Sequence, residues 1–193
     1  MNKDRLIQFV QEVLPMSPAR AEQLTETFRG KEIARNEFLL KEGAICNASH
    51  FIEKGIIRSY TYDLEGNEVT TAFYSENSFA SDLLSFFKRT PSKEYIQAIT
   101  ACETWYITYD DMQASFHTMP EFREFGRLNI VHNYSILKER MLSNLQETAE
   151  QRYGDLINSN SEILQNVPLK YIASYLGIAD TSLSRIRKEY LKK

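Results

Sequence analysis

The spacing of apolar residues changes character three times along the chain, and each change marks a different kind of element. In residues 4–29, Leu6, Phe9, Val10 and Leu14 recur at helical spacing. Pro15 and Pro18 interrupt the pattern and Ala19 to Phe28 resume it, which predicts one or two short helices. From Lys31 to about Tyr109 the period shortens. Runs rich in β-branched and aromatic residues, at 37–43, 51–63, 68–74 and 95–108, are separated by Gly43, Gly55, Gly66-Asn67 and Pro91. Short strands at regular spacing predict a sandwich or jelly roll. The clearest hairpin lies around Glu65-Gly66-Asn67, where a glycine supplies the positive φ of a tight turn. The stretch 78–91 (SFASDLLSFFKRTP) breaks the strand pattern and predicts a short helix set into the sheet region, as a ligand pocket or subunit contact would require.

From Pro120 to Glu147 the pattern is helical, with proline only at its start, where the missing N–H costs nothing. Such a helix is on the order of 40 Å long. Leu128, Ile130, Val131, Tyr134, Leu137, Met141, Leu142 and Leu145 take about half its circumference. A small sheet domain cannot cover so long and broad a face. A second copy of the helix across a two-fold axis is expected to cover the part carrying Leu128, Val131, Tyr134, Leu137 and Met141. Lys138 inside that sector excludes a clean heptad seam. Beyond Thr148, Tyr153, Leu156, Ile157, Ile163 and Leu164 predict a helix, a break at 158–160 and a further helical turn.

The last 26 residues, 168–193 (PLKYIASYLGIADTSLSRIRKEYLKK), predict two helices joined at Gly177. Pro168 suits the start of the first helix, whose Ile172, Ala173 and Leu176 face inward. Ile178 plugs the turn, and Asp180 or Thr181 can cap the second helix. Leu183 and Ile186, with Tyr190 and Leu191, form that helix's inner face. Thr181, Ser182, Ser184, Arg185, Arg187 and Lys188 are left outside. This is the layout of a helix-turn-helix, whose second helix lies in the DNA major groove. Arginine can pair bidentately with guanine, and serine or threonine can reach a base edge or a phosphate. Thr181, Ser182 and Arg185 are the candidates for base edges. Lys170, Ser184, Arg187, Lys188, Lys192 and Lys193 are the candidates for phosphates.

Charge supports a protein that touches DNA with one end. The net charge is −3, but residues 1–119 carry −5, residues 120–149 balance, residues 150–193 carry +2 and residues 180–193 alone carry +3. Hydrophobic residues at 42% and aromatics at 12% suffice for a core. No apolar run approaches the ~20 residues of a membrane span, and the first residues lack a signal-peptide core. Two cysteines, Cys46 and Cys102, make no disulfide scaffold, so a reduced, cytoplasmic protein is expected. The histidines and carboxylates form no metal-ligand spacing, and no phosphate-cradling glycine loop is present, so an enzyme is disfavoured. The other reading is a ligand-binding or protein-interaction module whose helical tail has no DNA affinity.

The segments 37–43 (EFLLKEG), 51–60 (FIEKGIIRSY), 63–69 (DLEGNEV) and 167–188 (VPLKYIASYLGIADTSLSRIRK), in that order, resemble the Crp/Fnr transcription regulators, and the form of the last is most similar to the Bacteroidetes branch. The resemblance covers roughly residues 5–191. It implies an α+β fold: a cyclic-nucleotide-binding-like β-roll over 1–119, a dimerisation helix over 120–147 and a helix-turn-helix domain over 148–193. It implies double-stranded DNA, a second subunit, RNA polymerase and a small-molecule effector as partners; from the residues themselves no resident cofactor and no metal are expected. The family's Gly-Glu pair, which contacts ribose, falls at about Ala80-Ser81. Its Arg-Ser pair, which neutralises the cyclic phosphate, falls at about Ser92-Lys93. Ala80, Ser81, Ser92 and Lys93 are therefore the candidate pocket, with Arg89 and Lys93 near enough to replace the missing arginine. A buried phosphate without its cation is costly, so cyclic AMP is not the expected effector.

Two cysteines cannot hold the family's oxygen-sensing iron–sulfur cluster. His50, His117 and His132 read as surface or interface residues, Cys46 as a thiol in an exposed turn and Cys102 as core. The two-stranded wing that follows the family's recognition helix is not expected here, and Lys192-Lys193 are expected to take part of its role.

Overall fold

A computed structural model describes residues 2–190; Leu191, Lys192 and Lys193, and the roles expected of them, lie outside the described residues. Two short helices open the chain, α1 (Asp4–Val13) and α2 (Pro18–Thr25). Leu6 and Val10 of α1 are buried, and the Ser17 hydroxyl caps α2 by accepting the Arg20 N–H. The roll that follows is built from β1 (Arg29–Ile33), β2 (Phe38–Leu40), β3 (Ala48–Lys54), β4 (Ile57–Tyr62), β5 (Glu68–Tyr74), β6 (Phe79–Ala80), β7 (Tyr95–Ala98) and β8 (Cys102–Thr108). These pair antiparallel into two four-stranded sheets, β1-β8-β3-β6 and β2-β7-β4-β5. Between them lies a core with Ile33, Ile52, Ile57, Phe86, Ile96 and Ala98.

The β4–β5 hairpin turns at Gly66 (φ +84°), and the Asp63 carboxylate accepts the N–H groups of Glu65 and Asn67. Helix α3 (Leu83–Lys88) is the insertion expected between Ser78 and Pro91, started by the Asp82 carboxylate, which accepts the Ser85 N–H at 3.0 Å.

The reading of the sequence passes over α4 (Tyr109–Thr118). Its start is signalled only by Thr108, which accepts the Asp111 N–H, and by the acidic Asp110 and Asp111, which suit a helix N-terminus. The long helix α5 runs Pro120–Gln146. Phe122 and Phe125, near its start, are buried against α1 and the outer face of the first sheet. Beyond them the apolar sector is open: Tyr134 and Leu137 are each 65% exposed and Leu145 is 76% exposed in the single chain.

The remaining helices are α6 (Ala149–Ser159), with a full capping box between Thr148 and Gln151, α7 (Ser161–Asn166), α8 (Leu169–Leu176) and α9 (Asp180–Tyr190). Their core is continuous with the roll, since Ile56 and Ile99 join Tyr153, Ile163, Ile172, Leu176, Leu183 and Ile186 in one cluster. The contact is made on β5, the edge strand of the second sheet, so its unpaired backbone groups are covered rather than exposed. The Ser174 hydroxyl accepts the Thr70 N–H (2.8 Å) and donates to the Glu68 carbonyl (2.9 Å). Phe73 meets Tyr175 at 5.0 Å between ring centroids, and Asn160 Nδ2 donates to Ser75 Oγ. The buried Arg58 guanidinium lies between the rings of Tyr60 (4.0 Å) and Tyr171 (3.5 Å), with Nη2 on the Glu68 carboxylate at 2.7 Å.

Candidate nucleic-acid interface and effector cavity

Helix α8 ends at Gly177, whose φ of +69° lets the chain reverse without a Cβ clash. The Ile178 N–H returns to the Ala173 carbonyl (3.0 Å) and the Gly177 N–H to that of Ser174 (3.2 Å), which fixes the angle at which the next helix leaves. Helix α9 begins with Asp180 already in its first turn. Leu183 and Ile186 are buried against Ile172, Ala173 and Leu176, so the opposite side of α9 must face out. Thr181, Ser184, Arg185 and Lys188 are exposed there, with Ser182 and Arg187 half-buried beside them. Among the described residues Arg185, Arg187 and Lys188 form no ion pair. Lys170 is exposed at the start of α8, its Nζ 4.8 Å from the Tyr171 ring. Tyr190 meets the Tyr153 ring edge-on, closing the inner face of α9. One helix thus presents hydroxyls and unpaired cations together, the chemistry that base edges and phosphates accept.

A cavity of about 400 Å³ opens between the roll and α5. Its wall is mostly apolar, with Phe79, Phe86 and Phe87 from the roll and α3, and Phe122, Phe125, Ile130, Ile136 and Leu137 from α5. Its polar end gathers Ser59, Thr71, Tyr74, Asp82, Glu94 and Arg140. Arg140 is engaged in structure. It donates to the carbonyls of Thr70, Thr71 and Tyr175 and lies 4.1 Å from the Tyr175 ring, so one side chain touches the cavity, β5 and α8 together. Burial lowers its pKa, against the pull of Tyr175 and Glu94. Burial pushes the Glu94 carboxyl up, opposed by a hydrogen bond with Thr71 and reinforced by the nearby Asp82 charge. Tyr74 is pushed up to about 12, again chiefly by burial.

Of the pocket residues expected from the sequence, only Ser81 lines this cavity. Ala80 is buried in β6 and faces a second hollow beside β2 and Cys46. Arg89 points away: it donates to the carbonyls of Cys46 and Phe86 and to Asn47 Oδ1, and its guanidinium covers the Tyr109 ring at 4.1 Å. Ser92 is buried with Oγ donating to the Asp82 carboxylate at 2.7 Å, and Lys93 is exposed. The structure therefore brings neither Arg89 nor Lys93 to a phosphate position. The carboxylate of Glu94 occupies the cavity end instead.

Glu94 and Arg140 escaped the sequence reading. A signal for Arg140 exists in retrospect: Gly126, Asn129, Asn133, Ile136 and Arg140 recur at helical spacing on a stripe of α5 distinct from Val131, Tyr134, Met141 and Leu145.

Two further expectations need correction. Cys46 is buried, not exposed in a turn; its backbone N–H binds Ser85 Oγ, and burial raises its thiol pKa. His50 is a sheet-interior residue, stacked on Tyr106 and hydrogen-bonded to Thr104 Oγ1, and burial with the nearby Lys31 charge lowers its pKa to about 4. Cys102 is core, as expected, while His117 and His132 are exposed.

Comparison with known proteins agrees with this geometry. The family model for the cyclic nucleotide-binding domain matches residues 30–118, the roll with α3 and α4. The fumarate and nitrate reduction regulatory protein of Vibrio cholerae is 27% identical over 180 residues, covering 85% of this chain and 69% of its own length. The anaerobic regulatory protein of Haemophilus influenzae is 23% identical over 176 residues, covering 85% and 67%. Among solved structures, FixK2 of Bradyrhizobium japonicum superposes with a TM-score of 0.71 at 14% identity, covering 86% of this chain and 85% of that one. A c-di-GMP-responsive global regulator of Xanthomonas campestris gives a TM-score of 0.70 at 12% identity, covering 91% and 92%. The roll thus matches the cyclic nucleotide-binding domain, and over most of its length the chain is similar to transcription regulators of the Crp/Fnr kind.

Proposed function

We propose that this protein regulates transcription in the cytoplasm as a homodimer, reading a palindromic operator through α9 and answering to a small molecule in the cavity between roll and α5. The observation that carries the reading is the outer face of α9, where Thr181, Ser184, Arg185 and Lys188 are exposed, with no ion pair among the described residues, on a helix pinned from behind by Leu183 and Ile186. Thr181, Ser182 and Arg185, nearest the helix start, reach base edges. Lys170, Ser184, Arg187 and Lys188 hold the phosphates on either side. Leu128, Val131, Tyr134, Leu137 and Met141 of α5 meet their counterparts across the two-fold axis, so that two α9 helices enter successive major grooves. In this reading the chain divides into a sensor over 1–119, a dimer helix over 120–147 and a reader over 148–193. RNA polymerase is the partner through which a bound dimer would act.

Selection of genomic fragments by the purified protein, followed by mobility shift on the enriched motif, tests the proposal. Enrichment of an inverted repeat with half-sites about one helical turn apart is expected. Uniform recovery of fragments, with no binding at moderate salt, would leave only the module without DNA affinity. Cyclic AMP should bind weakly or not at all, because Arg89 is committed to Cys46, Phe86 and Asn47, and Lys93 faces solvent. Low-micromolar affinity in isothermal titration would reverse that part of the reading.

A further inference from the structure

The polar end of the cavity is charged the wrong way for a phosphate, and this constrains what can enter. Two carboxylates, Asp82 and Glu94, reach it, and one cation, Arg140, whose N–H groups are turned onto three backbone carbonyls. Asp82 is already engaged, by the Ser85 N–H on one oxygen and the Ser92 hydroxyl on the other. Glu94 is not. No Lys or Arg among the described residues forms an ion pair with it, and its one hydrogen-bonding neighbour is Thr71. An ionised carboxylate has about four acceptor sites, and a partly buried one lacking donors is unfavourable until a donor arrives. The hydroxyls of Ser59 and Thr71, 2.7 Å apart, and of Tyr74 stand at the same end. The rest of the wall, with Phe79, Phe86, Phe87 and Ile136, offers only dispersion contacts and burial from water.

We infer that this cavity takes a largely apolar small molecule whose polar head is an uncharged or cationic hydrogen-bond donor, such as an amine, and that it refuses anions. This rests on reading the cavity as the effector site. Its volume of about 400 Å³ lies within the range of small-molecule sites. The head group would sit on Glu94, with the hydroxyls fixing its orientation. Burial raises the Glu94 pKa, and the neighbouring Arg140 charge, the smallest of the influences on it, only partly opposes this.

The experiment uses the full chain and three probes of one shape: phenylbutylamine, phenylbutanol and phenylbutyrate, titrated calorimetrically. The amine should bind about tenfold or more tighter than the carboxylate, with the alcohol between, since like charges forced together are costly. In Glu94→Gln, checked for folding by its thermal melt, the amine should lose that advantage while the alcohol binds as before. Should Glu94→Gln fail to fold, the amine-to-carboxylate ratio in the natural protein decides the matter alone. Equal or tighter binding of phenylbutyrate overturns the inference, and so does failure of both amine and alcohol to bind at millimolar concentration. Asn133→Trp, which fills the cavity from α5, should abolish amine binding; binding that survives it lies elsewhere and also overturns the inference. Operator affinity measured with and without the amine separates the two levels. Tight binding with unchanged DNA affinity sustains the ligand class and removes the effector reading.

Discussion

Ser174→Ala removes the hydroxyl that ties α8 to the edge of the roll. That oxygen accepts from the Thr70 N–H at 2.8 Å and donates to the Glu68 carbonyl at 2.9 Å, so one side chain satisfies two backbone groups of β5. Thr70 is fully buried, and no water replaces the lost partner unless the domain lifts. Two net hydrogen bonds at ~1 kcal/mol each, plus the cost of a stranded N–H, amount to roughly 2–4 kcal/mol of docking free energy. The lower figure alone corresponds to about a 30-fold rise in local opening. Amide hydrogen exchange resolved by residue should therefore speed at Thr70 by that factor or more. The amide of Trp105, within the β1–β8 pair on the far sheet, should keep its wild-type rate. Unchanged protection at Thr70 would show that the hydroxyl does not anchor the contact, and that Arg140 and the Phe73–Tyr175 packing hold it alone.

Replacing both Leu137 and Met141 with Glu should yield monomers by light scattering at micromolar concentration; a variant that stays dimeric moves the interface off α5. Arg185→Ala should cost about 1–3 kcal/mol per half-site and relax preference at one base pair, as read from operator and scrambled duplexes at several salt concentrations. Lys188→Ala should instead weaken both duplexes alike and reduce the salt slope by about one unit. If Arg185→Ala weakens both equally, base readout rests on Thr181, Ser182 or DNA shape.

His50 sets an acid limit on stability. Its pKa is about 4 when folded against 6.5 when free, so between those values the unfolded chain binds a proton that the folded one refuses. Its share of stability is intact above pH 6.5 and is lost as pH falls toward 4, by roughly 3 kcal/mol at most. Urea titrations of His50→Gln should show a flatter pH profile over that window, and an unchanged slope would assign the acid sensitivity to other groups.

The order of elements was legible because each is written in a local period. Spacing near 3.6 in residues 120–146, the β-branched and aromatic runs of β3, β4 and β5, and the turn at Gly177 with its buried pair Leu183 and Ile186 each declare themselves within a dozen residues. The same periodicity named the outer side chains of α9, since a helix with one buried face can only present the other. Helix α4 went unread because it follows β8 directly and only Ser115 among its residues is buried, so its apolar stripe is weak. The cavity could not be read at all. Which of Arg89, Ser92, Lys93 and Glu94 faces it depends on where the chain re-enters the sheet after α3, and a shift of one residue turns every side chain to the opposite face. Cys46 and His50 were misplaced for a related reason: burial is a property of what lies across the fold, not of the neighbouring sequence. The docking of α8 on β5 likewise joins Ser174 to Thr70 and Arg140 to Tyr175 across long stretches of chain. Local sequence determined most of the elements and the outer face of α9. Tertiary packing alone decided which polar groups converge, because hydrogen bonds and charges at the cavity are made between residues that no period connects.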